Sequence, residues 1–152
     1  MANTYTELFV QMIFAVTNRQ NLIIEPYREE LQKYMTGIVS QKNQKLISIY
    51  CNPDHTHVFA SMKPDKSVAS LVNDLKSNSS SFIKERFGLN NFSWQSGYGA
   101  FSYSKSQVPA VADYVNNQFE HHKIITFQQE FSGLLAEFGI DYDEKYMFTF
   151  DV

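Results

Sequence analysis

Residues 45–62, KLISIYCNPDHTHVFASM, decide the fold. The β-branched content of Lys45–Cys51 marks a strand. Asn52-Pro53-Asp54 is a turn, and His55–Met62 is the strand that returns from it, so the stretch reads as a hairpin. Toward the N-terminus, Leu8–Val16 is almost continuously apolar, the pattern of a central strand buried on both faces. Between that strand and the hairpin, Pro26 opens a helix at a position where a missing N–H costs nothing. Tyr27, Leu31, Tyr34, Met35 and Ile38 give this helix one apolar face.

Toward the C-terminus, Ser67 is suited to cap a second helix whose stripe is Val68, Leu71, Val72, Leu75 and Phe82. Phe92–Tyr103 contains a further strand, interrupted by Gly97 and Gly99 on either side of Tyr98. Ser106 is the expected cap of a third helix running to about His122, with Pro109 in its first turn. Thr126 with Gln129 predicts a capping box for a last helix through Phe138, which Gly139 stops. The order strand, helix, strand, strand, helix, strand is a split βαβ pattern. It predicts an α+β, ferredoxin-like fold with a central antiparallel sheet and helices added at the C-terminus. In that arrangement the first and third strands are central, so His55 and His57 stand on a rigid platform.

Neither repeats nor linkers divide the chain. A single domain over 1–152 is expected: a core over about 1–104, two helices over about 105–140 and an acidic tail over 141–152. The 152 residues are 43% apolar and 19% charged, a balance that can bury a core. No apolar run approaches the roughly 18 residues that span a bilayer. With no secretory signal visible and Cys51 the single cysteine, a cytoplasmic location is expected. The net charge is −3. The tail accounts for all of it, with Asp141, Asp143, Glu144 and Asp151 against Lys145, leaving 12 basic and 12 acidic side chains in residues 1–140. A neutral body of this kind excludes strong, indiscriminate duplex binding but allows a local basic groove.

Two motifs carry chemistry. In His55-Thr56-His57, side chains two apart on a strand project to the same face, and two convergent imidazoles are part of a metal site. In Tyr114-Val115-Asn116-Asn117-Gln118, about 100° per residue puts Val108, Val111, Val115 and Phe119 on one stripe. Tyr114, Gln118 and His121 lie along another edge. Phosphodiester cleavage needs a nucleophile and charge stabilisation on the phosphate oxygens. A metal on His55 and His57 supplies the second, with the Gln118 amide oxygen as a third ligand. Tyr114, one turn away, supplies the first, although a phenol with a pKa near 10 needs help from a positive field. A tyrosine nucleophile conserves bond energy in a 5′-phosphotyrosine link, so the strand can be rejoined without ATP.

At these residues the chain resembles the single-tyrosine transposases of bacterial insertion sequences, within the HUH endonuclease superfamily. The likeness runs over nearly the whole chain. It takes in His55-Thr56-His57, then Val68–Phe82 with Leu75-Lys76, then Trp94–Ser102. It continues through Tyr114–Gln118 and His121-His122-Lys123. The resemblance implies that His55, His57 and Gln118 hold Mg²⁺ or Mn²⁺ and that Tyr114 is the nucleophile. It also implies a homodimer acting on single-stranded DNA with subterminal hairpins, in which the tyrosine helix of one subunit can complete the other's site. The chain departs from the family at Thr56, where a bulky apolar residue is usual.

Lys63, Lys76, Ser79, Arg86 and Tyr98 are candidate DNA contacts, on or near the second helix and the Gly97/Gly99 segment. His121 is a possible accessory group. The acidic tail is expected to be a dimer or docking surface. Alternatives within the same chemistry are a nuclease processing repeated palindromic elements or replication origins. The alternative from another class is a non-catalytic single-strand-binding module. A phosphoesterase with two H-x-T motifs is excluded, because His121 and His122 begin no such motif.

Overall fold

The computed structural model describes residues 3–143. Four strands, β1 (Leu8–Ala15), β2 (Lys45–Cys51), β3 (His55–Met62) and β4 (Gly99–Tyr103), form one antiparallel sheet in the order β2-β3-β1-β4. The two central strands are those the sequence pattern placed there. Five helices complete the fold: α1 (Glu25–Gln41), α2 (Val68–Phe87), α3 (Val108–Asn116), α4 (Gln118–His121) and α5 (Phe127–Glu137). Among the described residues no helix is long and apolar enough to cross a membrane.

The two-residue period of a strand divides β1 and β3 between two unlike faces. Val10, Met12 and Phe14 of β1, with Val58, Ala60 and Met62 of β3, meet α1 and α2 in a predominantly apolar core. Thr56 is fully buried on the same side. Aromatic pairs join the two helices there: Tyr34 stacks on Phe82 at 4.1 Å and Tyr27 on Phe87 at 4.0 Å. The other face carries Phe9, Gln11, Ile13 and Ala15 of β1 and His55, His57 and Phe59 of β3. Helices α3–α5 cover it through two smaller apolar clusters, Val111 and Val115 on Phe59, and Phe127, Phe131 and Leu135 on Ile13 and Phe101.

The end signals account for most boundaries. Ser67 caps α2 by accepting from the Ser70 N–H at 3.0 Å, and Thr126 and Gln129 form the capping box of α5. Gly139 follows α5 at φ +63°, the left-handed conformation that suits glycine. Gly99 has a different reason to be glycine. A Cβ there would lie 2.6 Å from Cε1 of Phe131, so its absence lets α5 seat directly on β4.

The third helix differs from expectation. Its cap is Ser104 rather than Ser106: Ser104 forms a capping box with Gln107 around a 3-10 turn, Lys105–Gln107, that leads into α3. The helix also does not run unbroken to His122. Asn117 leaves helical geometry at φ −98°, ψ 22°, and Asn116 is engaged by the Ser48 hydroxyl at 2.8 Å. That bond spans 68 residues of chain, and asparagine, a poor residue for a helix interior, tolerates the break. The apolar stripe ends with it, which leaves Phe119 56% exposed. Of the acidic tail, residues 144–152 lie outside the described residues.

Candidate active site

His55 and His57 leave β3 on the α5 side and are fully buried, with ring centroids 5.2 Å apart. Each ring is anchored through Nδ1. His55 Nδ1 donates to Asp54 Oδ1 at 2.7 Å, and His57 Nδ1 donates to Gln11 Oε1 at 2.7 Å. A third imidazole, His122, joins them because the break at Asn117 redirects the chain; its Nδ1 donates to the Ile125 carbonyl at 3.1 Å. Fixing Nδ1 as the donor leaves Nε2 as the lone-pair nitrogen of each neutral ring.

All three Nε2 atoms face one carboxylate, Glu130 of α5. Its Oε1 lies 3.5 Å from His55 Nε2, 3.2 Å from His57 Nε2 and 3.1 Å from His122 Nε2. Its Oε2 accepts from the Tyr114 hydroxyl and from Gln118 Nε2 at 3.0 Å. His55, His57, His122 and Glu130 each offer a ligand atom within 4.8 Å of the others. Nitrogen lone pairs turned on a buried carboxylate repel it, and positive charge relieves that, either as protons on the rings or as a cation among them; His55 Nε2 also accepts from Asn52 Nδ2 at 3.1 Å. Nδ1 atoms anchored in this way, with the Nε2 atoms turned toward one point, are also the usual preparation of histidine for metal. The donor set therefore fits a divalent ion.

The electrostatics follow from that packing. Burial works against ionised Glu130, but His57, His122 and His55 outweigh it and hold the carboxyl far below the usual range. Burial likewise opposes a charged His55, yet the Asp54 and Glu130 carboxylates raise its pKa. At His57 burial wins, and its pKa is lowered. Burial first, and then the Glu130 charge, push the Tyr114 phenol well above its ordinary value. With only protein groups around it, the phenol is a hydrogen-bond donor and not a nucleophile.

Of the residues singled out from sequence, His55, His57, Tyr114 and Gln118 come together in one chain. Gln118 is fully buried. Its Oε1 lies 3.1 Å from Asn52 Nδ2 and 2.9 Å from His122 Nε2. His121 packs edge-on to the Tyr114 ring at 4.9 Å, with Nε2 3.5 Å from Glu130. The candidate DNA contacts stand apart from this group. Lys76, Ser79 and Arg86 belong to α2, on the opposite face of the sheet. Lys76 Nζ is committed to the carbonyls of Gln95 at 2.9 Å and Gly97 at 2.6 Å. Ser79 is buried and accepts from Trp94 Nε1 at 2.9 Å. Arg86 pairs with Glu30. Lys76 and Ser79 are thus engaged within the fold, whereas the Arg86 side chain is 62% exposed in its pair. Lys63 is exposed but follows the far end of β3, about 26 Å from His55 at strand spacing. Tyr98 is 40% exposed.

Glu130 and the structural part of His122 escaped the sequence reading. A signal for Glu130 existed. It interrupts the stripe of Phe127, Phe131, Leu134 and Phe138, so a carboxylate lies on the face that α5 buries.

The fold and this cluster define a class: a ferredoxin-like antiparallel sheet that gathers a tyrosine, three histidines and a carboxylate under its C-terminal helices. The family described as "Transposase IS200 like" matches residues 4–118, and the chain belongs to that family. The transposase of insertion sequence element IS200 from Salmonella typhimurium is 25% identical over 130 residues, covering 82% of this chain and 85% of its own. The ISDra2 transposase TnpA of Deinococcus radiodurans is 22% identical over 121 residues, covering 75% and 86%. Two solved structures share the fold. A candidate transposase from Deinococcus radiodurans aligns with a TM-score of 0.64 at 18% identity, over 78% of this chain and 95% of that one. A REP-associated tyrosine transposase bound to a REP hairpin aligns with a TM-score of 0.59 at 14% identity, over 100% and 93%.

Proposed function

We propose that this transposase cleaves and rejoins single-stranded DNA through a 5′-phosphotyrosine intermediate on Tyr114. The reading rests on one observation: the Tyr114 hydroxyl and the Nε2 atoms of His55 and His57 meet on the same carboxylate, Glu130. A divalent ion, Mg²⁺ or Mn²⁺, would be held by His55, His57 and Gln118, with His122 and Glu130 available to complete the set. Bound there, it would act as a Lewis acid toward the non-bridging phosphate oxygens.

The chain's own groups do the rest. Glu130 accepts the hydrogen bond of the phenol and fixes the direction of its oxygen, and the phenol proton is released to solvent as that oxygen attacks. The Tyr114 oxygen attacks phosphorus, the bond to the 3′ oxygen breaks, and that oxygen takes a proton from solvent and leaves as a free 3′-hydroxyl. Rejoining reverses the exchange: a 3′-hydroxyl attacks the phosphotyrosine, the bond to Tyr114 breaks, and the phenol regains a proton. Asp54 and Gln11 keep the imidazoles oriented throughout, as outer groups do around a metal site. Hairpins at the element ends are the substrate feature in this reading, supported by the fold shared with a protein solved on a REP hairpin. Action as a homodimer belongs to the same reading.

The test incubates the protein and Mg²⁺ or Mn²⁺ with labelled single strands from the DNA flanking its gene. The expected result is a denaturation-resistant protein–DNA adduct that maps to Tyr114 and is lost in Tyr114→Phe, while hairpin binding persists. An adduct undiminished by that substitution rejects the mechanism. Hairpin binding with no adduct under either metal supports a non-catalytic module instead.

A further inference from the structure

Two openings flank the histidine cluster, and they differ in charge. One, of about 390 Å³, lies between α3 and α5 beside Tyr114 and His121; Glu130 and Glu137 line it, and among the described residues no lysine or arginine does. The other, of about 500 Å³, lies between the first turn of α1, the end of β2 and α4. Its walls alternate cations and rings. The Arg28 guanidinium carbon sits 5.0 Å from the centre of the Tyr50 ring, and Lys123 Nζ sits 4.6 Å from that of Phe119. Arg28 Nε is buried and has no hydrogen-bond partner among the described residues, an unmet donor of the kind that a ligand oxygen satisfies. Phe119 is 56% exposed, so its ring is open to a stacking partner at the mouth of the groove.

The inner end of this groove is the cluster itself. Asn52 and His122 line it. Asn52 Nδ2 lies 3.1 Å from both His55 Nε2 and Gln118 Oε1, and His122 Nε2 lies 3.1 Å from Glu130. Glu25 also lines the groove, and Glu120 pairs with Lys123 at 3.2 Å on the surface, so the positive charge is local and modest. That is too little for a duplex, whose affinity comes from many phosphate contacts. It suits a strand held by stacking as much as by charge, since every base has a face that a ring can meet.

We propose that this groove is the track by which unpaired DNA reaches the cluster, with bases stacking on Tyr50 and Phe119 and phosphates meeting Arg28 and Lys123. The assignment rests on the single-strand cleavage reading above. It adds the surface along which the strand enters.

The probe is fluorescein-labelled oligothymidylate, which forms no hairpin, followed by anisotropy across a salt series. Phe119→Ala should weaken binding by about fivefold or more, as loss of a stacking ring does. Arg28→Ala and Lys123→Ala should each weaken it and reduce the salt slope by about one. Lys33→Ala, which removes an exposed cation elsewhere on α1, should leave both unchanged. Phe119 and Lys123 are exposed, so their variants keep the test alive if Arg28→Ala fails to fold. Wild-type affinity and slope in both of those variants overturn the proposal, as does an equal loss in Lys33→Ala. A Phe119→Ala change that alters only self-association in sedimentation also overturns it, in favour of a second copy on this face. The adduct assay run beside it separates the two failures: no adduct from wild type sinks the cleavage reading, whereas equal adduct from wild type and Phe119→Ala sinks only the track.

Discussion

The two faces of the sheet are built on opposite principles. Under α1 and α2 the strands bury Met12, Phe14, Val58, Ala60 and Met62 against Leu71, Val72 and Leu75, and the side chains there meet as hydrocarbon. Under α3–α5 the same strands bury Gln11, His55 and His57, and the helices answer with Gln118 and Glu130. Burial without polar groups holds the fold; burial with them stores charge that only a partner of opposite sign can satisfy. One sheet thus carries a stabilising side and a chemical side, separated by single-residue steps along β1 and β3.

The largest effect expected from breaking this division is on the apolar side. Leu75→Ala removes a fully buried side chain and should cost about 2–5 kcal/mol of unfolding free energy, read from urea melts. Mn²⁺ affinity of the folded fraction should stay the same. If Leu75→Ala weakened metal binding as strongly as it weakened folding, the two faces would not be separable.

Gly99→Ala works at the junction. The new Cβ meets the Phe131 ring, so α5 must shift, at a cost of about 1–3 kcal/mol. Because Glu130 precedes Phe131, this variant should also lower metal affinity. Stability lost without any change in metal binding would mean that the ring moves and the helix does not.

Glu130→Gln sharpens the comparison from the polar side. It keeps the shape and removes the charge that three imidazoles face. Titration calorimetry should show Mn²⁺ binding weakened on the order of 10-fold or more, with a smaller loss of metal-free stability than Leu75→Ala. Imidazole donors should also make Mn²⁺ bind more tightly than Mg²⁺ in the wild type. Undiminished Mn²⁺ binding in Glu130→Gln would remove the carboxylate from the ligand set.

The smallest effect is a pH dependence. Burial opposes the charge on Asp54, but His55 and Arg19 outweigh it and hold its carboxyl below the ordinary range. A carboxyl depressed in the folded state stabilises above its unfolded value near 4 and loses that contribution as pH falls. The metal-free melting temperature should therefore drop by roughly a few degrees between pH 6 and pH 3.5. In Asp54→Asn this acid-side slope should be reduced.

Much of the architecture was legible because it depends on local periodicity. The alternation in β3 put His55 and His57 on one face, and the stripes of α1 and α2 marked the dry side. Ser67 and the Thr126/Gln129 pair gave helix starts from short-range hydrogen bonding. The course of the third helix differed for two reasons: at its start a second local cap, Ser104, replaced Ser106, and at Asn117 a long-range contact overrode local preference. Asn117 breaks the third helix where Asn116 is drawn to Ser48, across 68 residues of chain. Lys76 and Ser79 resembled a solvated cationic face until folding brought Gln95, Gly97 and Trp94 onto them.

By itself the sequence placed the first and third strands at the centre through the order of its elements, and the dry face and the paired imidazoles through spacing within one element; Tyr114 stood out as a candidate nucleophile only beside that histidine pair. Only the tertiary structure decided that Glu130 and His122 belong with them, and that the Tyr114 hydroxyl ends on the same carboxylate. Those residues lie on separate helices whose relative positions are set by packing against the sheet: the absent side chain at Gly99, the turn at Asn117, and the seating of Val115 on Phe59. A periodic pattern carries no record of such distances.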